Sequence, residues 1–307
     1  MASILTNNNA MAALSTLRSI ASDLSTTQDR ISSGLKVGSA SDNAAYWSIA
    51  TTMRSDNKAL GAVSDALGMG AAKVDTASAG MDAAIKVVTD IKAKVVAAKE
   101  QGVDKTKVQE EVSQLLDQLK SIGTSASFNG ENWLVSSANA TKTVVSGFVR
   151  DAGGTVSVKT TDYALDANSM LYTEGTPGTI DANSGILNAT GATTTVGAKT
   201  YTQISVLDMN VSTDDLDNAL YSVETALTKM TSAGAKLGSL SARIDLQSDF
   251  ANKLSDSIEK GVGRLVDADM NEESTKLKAL QTQQQLAIQS LSIANTSSEN
   301  ILSLFRQ

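Results

Sequence analysis

Histidine and cysteine are absent from the 307 residues, proline occurs once, and the aromatic residues amount to two Trp, five Tyr and four Phe. Without His or Cys there can be no zinc finger, no His-Glu-x-x-His helix, no haem or iron–sulfur ligation, no Ser-His-Asp triad and no cysteine nucleophile. Only carboxylate, Lys, Ser/Thr or Tyr chemistry remains, and neither a metal nor a cofactor is expected. The charge balance is acidic, 33 Asp and Glu against 26 Lys and Arg, for a net charge of −7. No basic stripe stands out to neutralise phosphates, so nucleic acid is not an expected partner. No stretch approaches the ~18–20 apolar residues that span a bilayer, so no membrane insertion is expected. No basic residue precedes Arg18, and the start therefore lacks the positive n-region of a secretory signal peptide. The lack of cysteine fits a secreted chain that needs no disulfides as well as a cytosolic one.

What the chain does contain is an apolar fraction of 41%, enough for a folded protein whose core is built mainly from Ala, Val, Leu, Ile and Met. The composition changes twice. Residues 137–210 are rich in Thr and Gly, hold the single proline, Pro177, and carry short β-type runs such as Thr155-Val-Ser-Val-Lys-Thr and Thr200-Tyr-Thr-Gln-Ile-Ser-Val. Gly153-Gly154 after Asp151 predicts a hairpin turn between residues 144–149 and 155–159. This block reads as a small β-rich insertion.

On either side of it, apolar residues recur at helical spacing. From Tyr46, every seventh position is apolar: Met53, Leu60, Leu67, Val74, Met81, Val88 and Val95. A second series follows three residues later, at Ile49, Val63, Ala77, Ala84, Ile91 and Ala98, broken only by Asp56 and Gly70. Paired series at this repeat form the a/d seam of a coiled coil or long bundle helix. Gly102 and Asp104 predict a helix end and a new N-cap, after which Val108, Val112, Leu115, Leu119 and Ile122 mark a shorter helix folded back along the first. Beyond the insertion the repeat resumes at Leu216, Val223, Met230, Leu237, Ile244, Ala251, Ile258 and Leu265. Residues 41–136 and 211–265 are therefore expected to form a rod-shaped helical bundle.

The ends, 1–40 and 266–307, continue the pattern. Leu14, Leu17, Ala21, Leu24, Gln28, Ile31 and Leu35 fall on one a/d stripe, and Leu277, Leu280, Gln284, Ala287, Leu291, Ala294, Ser298, Ile301 and Phe305 on another. Asp269 with Glu272 predicts a capping box that starts the last helix. An isolated amphipathic helix is marginal in water, so each end needs a partner, and the other end is the economical one. Both ends are poor in charge, which predicts that the pair is itself covered by neighbouring copies. The polar seam residues Gln28, Gln284 and Ser298 are either tolerated or fix the register. Of Tyr46 and Trp47, about 100° apart on a helix, one is expected inside.

Other groupings have blander explanations. Asp267, Asp269, Glu272 and Glu273 read as a solvated helix start favoured by the helix dipole rather than an acid/base or metal site. Gly68-Met-Gly70 and Gly261-Val-Gly263 lack the third glycine and the βαβ context of a dinucleotide fingerprint. The sequons at Asn139, Asn188 and Asn210 are read as chance occurrences.

The end segments closely resemble bacterial flagellin. The resemblance is carried by Gln28-Asp-Arg-Ile-Ser-Ser-Gly-Leu-Lys-Val-Gly-Ser-Ala-Ser-Asp-Asn-Ala-Ala, Arg264-Leu-Val-Asp-Ala-Asp-Met-Asn-Glu-Glu-Ser, Leu280-Gln-Thr-Gln-Gln-Gln-Leu, Leu291-Ser-Ile-Ala-Asn, Leu302-Ser-Leu-Phe-Arg, and Phe128-Asn-Gly with Trp133-Leu134. Tyr46-Trp47, where many flagellins read Gly-Leu, is similar to the alphaproteobacterial, rhizobial type. The resemblance implies a mainly α fold: an elongated coiled-coil or helical-bundle rod with paired terminal helices and a small β-rich outer insertion. It implies a non-enzymatic, extracellular subunit that polymerises with itself or with other flagellins. Export would proceed unfolded through the filament channel, with the flagellar export apparatus and its chaperone as partners, alongside hook-associated junction and cap proteins. The alternative within the same resemblance is a hook–filament junction protein. Where the innate immune receptor for flagellin typically contacts Leu-Gln-Arg-Val-Arg-Glu-Leu-Ala-Val-Gln, this chain reads Ile91-Lys-Ala-Lys-Val-Val-Ala-Ala-Lys-Glu, and weak or no receptor activation is expected.

Overall fold

The first long helix, α2 (Ala44–Ala97), starts where the Asn43 side chain accepts the Tyr46 N–H (3.1 Å) and runs 54 residues without a proline. A computed structural model describes residues 7–137, 140–151, 153–176, 179–180, 184–196 and 199–304. In chain order the elements are α1 (Asn8–Ser33), α2, α3 (Lys105–Ser125), β1 (Ser127–Phe128), β2 (Glu131–Asn132), β3 (Val135–Ser136), β4 (Thr141–Arg150), β5 (Val156–Ala164), β6 (Tyr172–Thr176), β7 (Thr179–Ile180), β8 (Thr193–Val196), β9 (Lys199–Thr202), α4 (Leu216–Val266) and α5 (Met270–Leu304). The fold is mainly helical with a strand-rich middle. Two compact units emerge: residues 1–58 with 255–307, and residues 59–254; α2 and α4 contribute to both.

In the 59–254 unit one hydrophobic cluster draws on α2, α3, α4 and the middle segment. Leu60, Leu67, Val74, Met81, Val88 and Val95 of α2 are buried, as are Val223, Met230, Leu237 and Ile244 of α4, with Val63, Ala77, Ala84, Ile91 and Ala98 on the second α2 series. Leu216 packs half-buried against the cluster. Burying each Leu, Ile, Val or Met contributes about 1.5–3 kcal/mol. Asp104 caps α3 by accepting the Thr106 N–H (3.0 Å). From α3, Val112, Leu116 and Leu119 enter the cluster, with Val108, Leu115 and Ile122 at its edge.

The break at Gly70 in the α2 series has a packing reason. A Cβ there would lie 2.4 Å from Val144 Cγ1 on β4, so the seam position is filled by the strand instead of by the helix's own side chain. Gly123 of α3 likewise admits the Tyr172 ring, whose hydroxyl donates to the Lys120 carbonyl (3.1 Å).

The middle segment is built of small sheets: antiparallel β1–β2, β4–β5 and β8–β9, and a three-stranded β3–β6–β7 sheet in which β3 and β6 run parallel. The predicted hairpin turn is present between β4 and β5. Asp151 Oδ1 accepts the Gly153 and Thr155 N–H groups (3.0 and 2.8 Å), and Gly154 takes φ +82°. Pro177 lies outside the described residues. The segment's apolar residues, Leu165, Met170, Leu171, Ile186, Leu187 and Val206 among them, join the cluster of the helices, so the insertion shares their core. Val149, Val156 and Val158, toward the hairpin's turn, are exposed. Trp133 stacks on Tyr163 with ring centroids 5.6 Å apart.

In the unit of residues 1–58 and 255–307, α1 and α5 pack against each other. The α1 C-cap Gly34 takes φ +73° and donates to the Arg30 carbonyl (2.8 Å). The chain then pairs with the end of α4: Leu35 bridges Asp267, and the Lys36 N–H donates to Val266 O (2.6 Å). Asp42 holds the next turn by accepting the Gly38 and Ser39 N–H groups (3.0 and 2.9 Å), and the Ser39 backbone and hydroxyl contacts hold its carboxyl below the usual carboxylate range. A smaller cluster of Val37, Ala50, Val262 and Val266 forms here, with Leu35, Met53, Ile258 and Leu265 packed half-buried against it.

Burial pushes the Tyr163 phenol up to about 12, helped by Asp166, and that of Tyr172 to about 12, helped by Glu174. A raised folded-state pKa means that the neutral phenols stabilise the fold fully below pH 10.0, their ordinary value, and that this contribution is lost as pH rises through 12. Absorbance titration at 295 nm is therefore expected to place two of the five tyrosines well above pH 10, with stability to urea falling over the same interval. Tyrosines that all ionise together near pH 10 in the folded protein would contradict this packing.

Candidate assembly surface

Helices α1 and α5 pair antiparallel, as contacts at both ends define. Asn7 Nδ2 donates to the Ala294 carbonyl (3.0 Å), and Arg30 pairs with Glu273 Oε1 (3.1 Å). Asn7 also caps α1 by accepting the Ala10 N–H (3.0 Å). Asp269 caps α5 by accepting the Asn271 and Glu272 N–H groups (2.9 and 3.2 Å). The carboxylate group at the α5 start thus divides into a cap, Asp269, an ion pair, Glu273, and a backbone bridge, Asp267. Among the described residues no cluster of three or more metal-ligating side chains occurs.

On α5 the inward stripe consists of Glu273, Leu277, Leu280, Gln284, Ala287, Leu291 and Ala294, all buried or half-buried. On α1 it consists of Ala10, Ala13, Leu17, Ile20, Leu24, Thr27 and Ile31. The single α1 stripe expected from the sequence therefore divides. Leu17, Leu24 and Ile31 are covered, Leu35 joins the smaller cluster, and Leu14, Ala21 and Gln28 are exposed. The covered face keeps Leu17, Leu24 and Ile31 but pairs them with the residues four before them, Ala13, Ile20 and Thr27, rather than with those three before them, Leu14, Ala21 and Gln28, so the face turned to α5 lies on the other side of that row. Thr27, 1% exposed, is the buried polar residue of α1; Gln28 is not. Gln284 is half-buried. The side chains of Ser298 and Ile301 lie outside the described set, and Phe305 lies outside the described residues.

The α1–α5 pair leaves apolar side chains uncovered: Met11 and Leu14 on α1, and Leu286, Ile288 and Ile293 on α5. The start of α2 is also uncovered. Neither Tyr46 nor Trp47 is inside, contrary to the expectation for adjacent residues, and Ile49 of the second heptad series is exposed. Ala50 takes the inward place instead, in one cluster with Val262 and Val266, and Met53 packs half-buried against it.

A surface of this kind, two amphipathic helices covered on one side only, suits assembly. Comparison with known proteins agrees. The family model described as the bacterial flagellin N-terminal helical region matches residues 4–139, and that of the bacterial flagellin C-terminal helical region matches residues 220–305. Flagellin A of Rhizobium meliloti is 53% identical over 395 aligned residues, covering all of both chains. Flagellin C of R. meliloti strain 1021 is 52% identical over 325, and the flagellin of Brucella melitensis biotype 1 is 43% identical over 307, again with both chains fully covered. Full-length identity to named flagellins does not favour a hook–filament junction protein. No helix among the described residues is long and apolar enough to cross a membrane. The chain belongs to the bacterial flagellins, of the rhizobial type, and is a structural subunit of the extracellular flagellar filament.

Proposed function

We propose that this subunit polymerises through its terminal helix pair: α1 and α5 line the inner layer, the helical bundle surrounds them, and residues 137–210 face outward. In residue terms, 1–40 and 266–307 form the inner layer and 41–136 with 211–265 the rod. The observation that carries the reading is the second apolar stripe left on each terminal helix. Leu14 with Met11 on α1, and Leu286 with Ile293 on α5, are exposed in the single chain. These side chains are 37% to 69% exposed, so covering each contributes roughly half of the about 1.5–3 kcal/mol of full burial, and several per subunit together offset the entropy of ordering the ends. Leu17, Leu24, Ile31, Leu277, Leu280 and Leu291 then hold the pair together. Export in an unfolded state, with an export apparatus, a chaperone, and junction and cap proteins as partners, is supported by the lack of disulfide-forming cysteine and by a single X-Pro bond, whose isomerisation is the slow step a refolding chain best avoids.

We further propose that the innate immune receptor for flagellin responds weakly or not at all. Over residues 91–100, Val95 is buried, Lys92 and Lys94 are held by Glu224 and Glu111 (2.5 and 2.6 Å), and Ala93 and Val96 stand where the contacted motif has Arg and Glu. A receptor reporter assay with purified monomer is expected to stay near background, and a full response would overturn this.

Deletion of residues 270–307 is expected to leave a soluble protein whose 59–254 core is intact by circular dichroism, yet which adds nothing to filament seeds under electron microscopy. Elongation by the truncated protein would defeat the assembly reading. Single substitutions separate the two stripes. Leu24→Ala, on the covered stripe, should cost the monomer about 1–2 kcal/mol, half the cost of a fully buried leucine. Leu14→Ala should change monomer stability by less than about 0.5 kcal/mol while raising the critical concentration for polymerisation. Equal effects of the two on the monomer would remove the distinction between the stripes.

A further inference from the structure

From Leu60 onward the a positions of α2 are buried, but the same heptad frame is uncovered where the helix begins. Tyr46 and Ile49 occupy the a and d positions of that frame and are 46% and 50% exposed; Trp47 beside them is 38% exposed. Between Ala44 and Thr52 every residue except Ala50 is exposed, and no charged side chain occurs from Asn43 to Met53. A helix end destined to stay in water would carry charge on these turns. Instead it carries one of the chain's two tryptophans, a tyrosine and an isoleucine, the composition of the buried centre of an interface rather than of a wet rim.

We propose that Tyr46, Trp47 and Ile49 form an intersubunit contact of the filament, docked against a second copy of this chain and distinct from the contacts of α1 and α5. The inference rests on the polymerisation proposed above. A patch present once on every filament subunit requires an occupant at one-to-one stoichiometry, and another subunit is the component present in that ratio. The size of the patch points the same way. Three side chains cover far less than the ~800 Å² per partner of a stable binary complex, so the patch does not pair two free monomers. It acts only where a lattice supplies further contacts to the same neighbour. Tyr and Trp suit this use, since each tolerates water at its polar edge before assembly and buries a large ring after it. Where the patch meets a different surface of the neighbour, the contact is heterologous and extends without closing, as a helical polymer requires.

The chain's tryptophan content gives a direct readout. Trp133 is 2% exposed and stacked on Tyr163, so Trp47 is the tryptophan open to solvent in the monomer. Acrylamide is expected to quench monomer fluorescence mainly through Trp47. In filaments verified by electron microscopy the quenching should fall severalfold, with emission moving to shorter wavelength. Trp47→Phe should still form filaments but lose this assembly-linked change. The triple variant Tyr46→Ser, Trp47→Ser, Ile49→Ser should raise the critical concentration at least about tenfold, the equivalent of one lost interface side chain, with thermal unfolding of the monomer unchanged. Filaments in which tryptophan remains as quenchable as in the monomer would overturn the contact while leaving polymerisation through the terminal helices standing. So would a Trp47 already shielded in the monomer, which would indicate cover from the chain itself. Wild-type subunits that form no filament would overturn both.

Discussion

An apolar stripe on a helix has to be covered, because helix propensity alone leaves a helix marginal in water. In the 59–254 unit the chain meets this requirement by itself: α2, α3, α4 and the middle segment bury one another's stripes in a single cluster. In the unit of residues 1–58 and 255–307 the requirement is met by half. The helices α1 and α5 cover one stripe each and leave a second in solvent, and α2 begins with aromatic residues uncovered. The same principle that makes one unit complete leaves the other with apolar faces open to solvent, and it is on those faces that the proposed polymerisation rests.

The scarcity of aromatic residues gives each buried one a defined task. Trp133 and Tyr163 stack where the β4–β5 hairpin meets the core, and Tyr172 reaches α3 through the space that Gly123 leaves. Such contacts replace the side-chain volume that small seam residues do not supply. Gly70 and Val144 show the exchange in one position, with the helix ceding its own side chain so that a strand can occupy the seam. The Thr/Gly-rich middle is thus tied into the helical core through its own apolar residues while its hairpin tip remains free to face solvent.

Charge has a secondary role. In the surface pairs Lys92–Glu224 and Lys94–Glu111 the side chains are 38% to 58% exposed, and each pair contributes at most about 1 kcal/mol. Arg30–Glu273 differs, since the Glu273 side chain is largely buried and its second oxygen has no hydrogen-bond partner. Removing Arg30 would leave that carboxylate buried and unpaired, a larger penalty than the pair is worth when intact. Together with Asn7 it makes the antiparallel register of α1 and α5 a matter of directional contacts as well as of apolar fit.

Much of the fold was legible in the sequence because its physical basis is periodic. A seven-residue apolar repeat without proline can only be a long helix, Asp104 and Asp269 announce their helix starts, and Asp151 with Gly153-Gly154 announces the hairpin. Apart from that hairpin, the small sheets of the middle were not legible beyond their strand-like composition; the parallel pairing of β3 with β6, for one, joins residues far apart in sequence. The assembly surface was legible only in part. That α1 and α5 carry apolar stripes is a property of spacing, which the sequence by itself determines, as it determines the absence of His and Cys and with it the chemistry the protein cannot perform. Which residues of each stripe are spent inside the chain was decided by the tertiary structure. On α1 the face turned to α5 is that of Ala13, Ile20 and Thr27 rather than that of Leu14, Ala21 and Gln28, and on α2 it is Ala50, not Tyr46, Trp47 or Ile49, that joins the cluster of Val262 and Val266. Periodicity places a residue on a face, but only packing says whether anything stands opposite it.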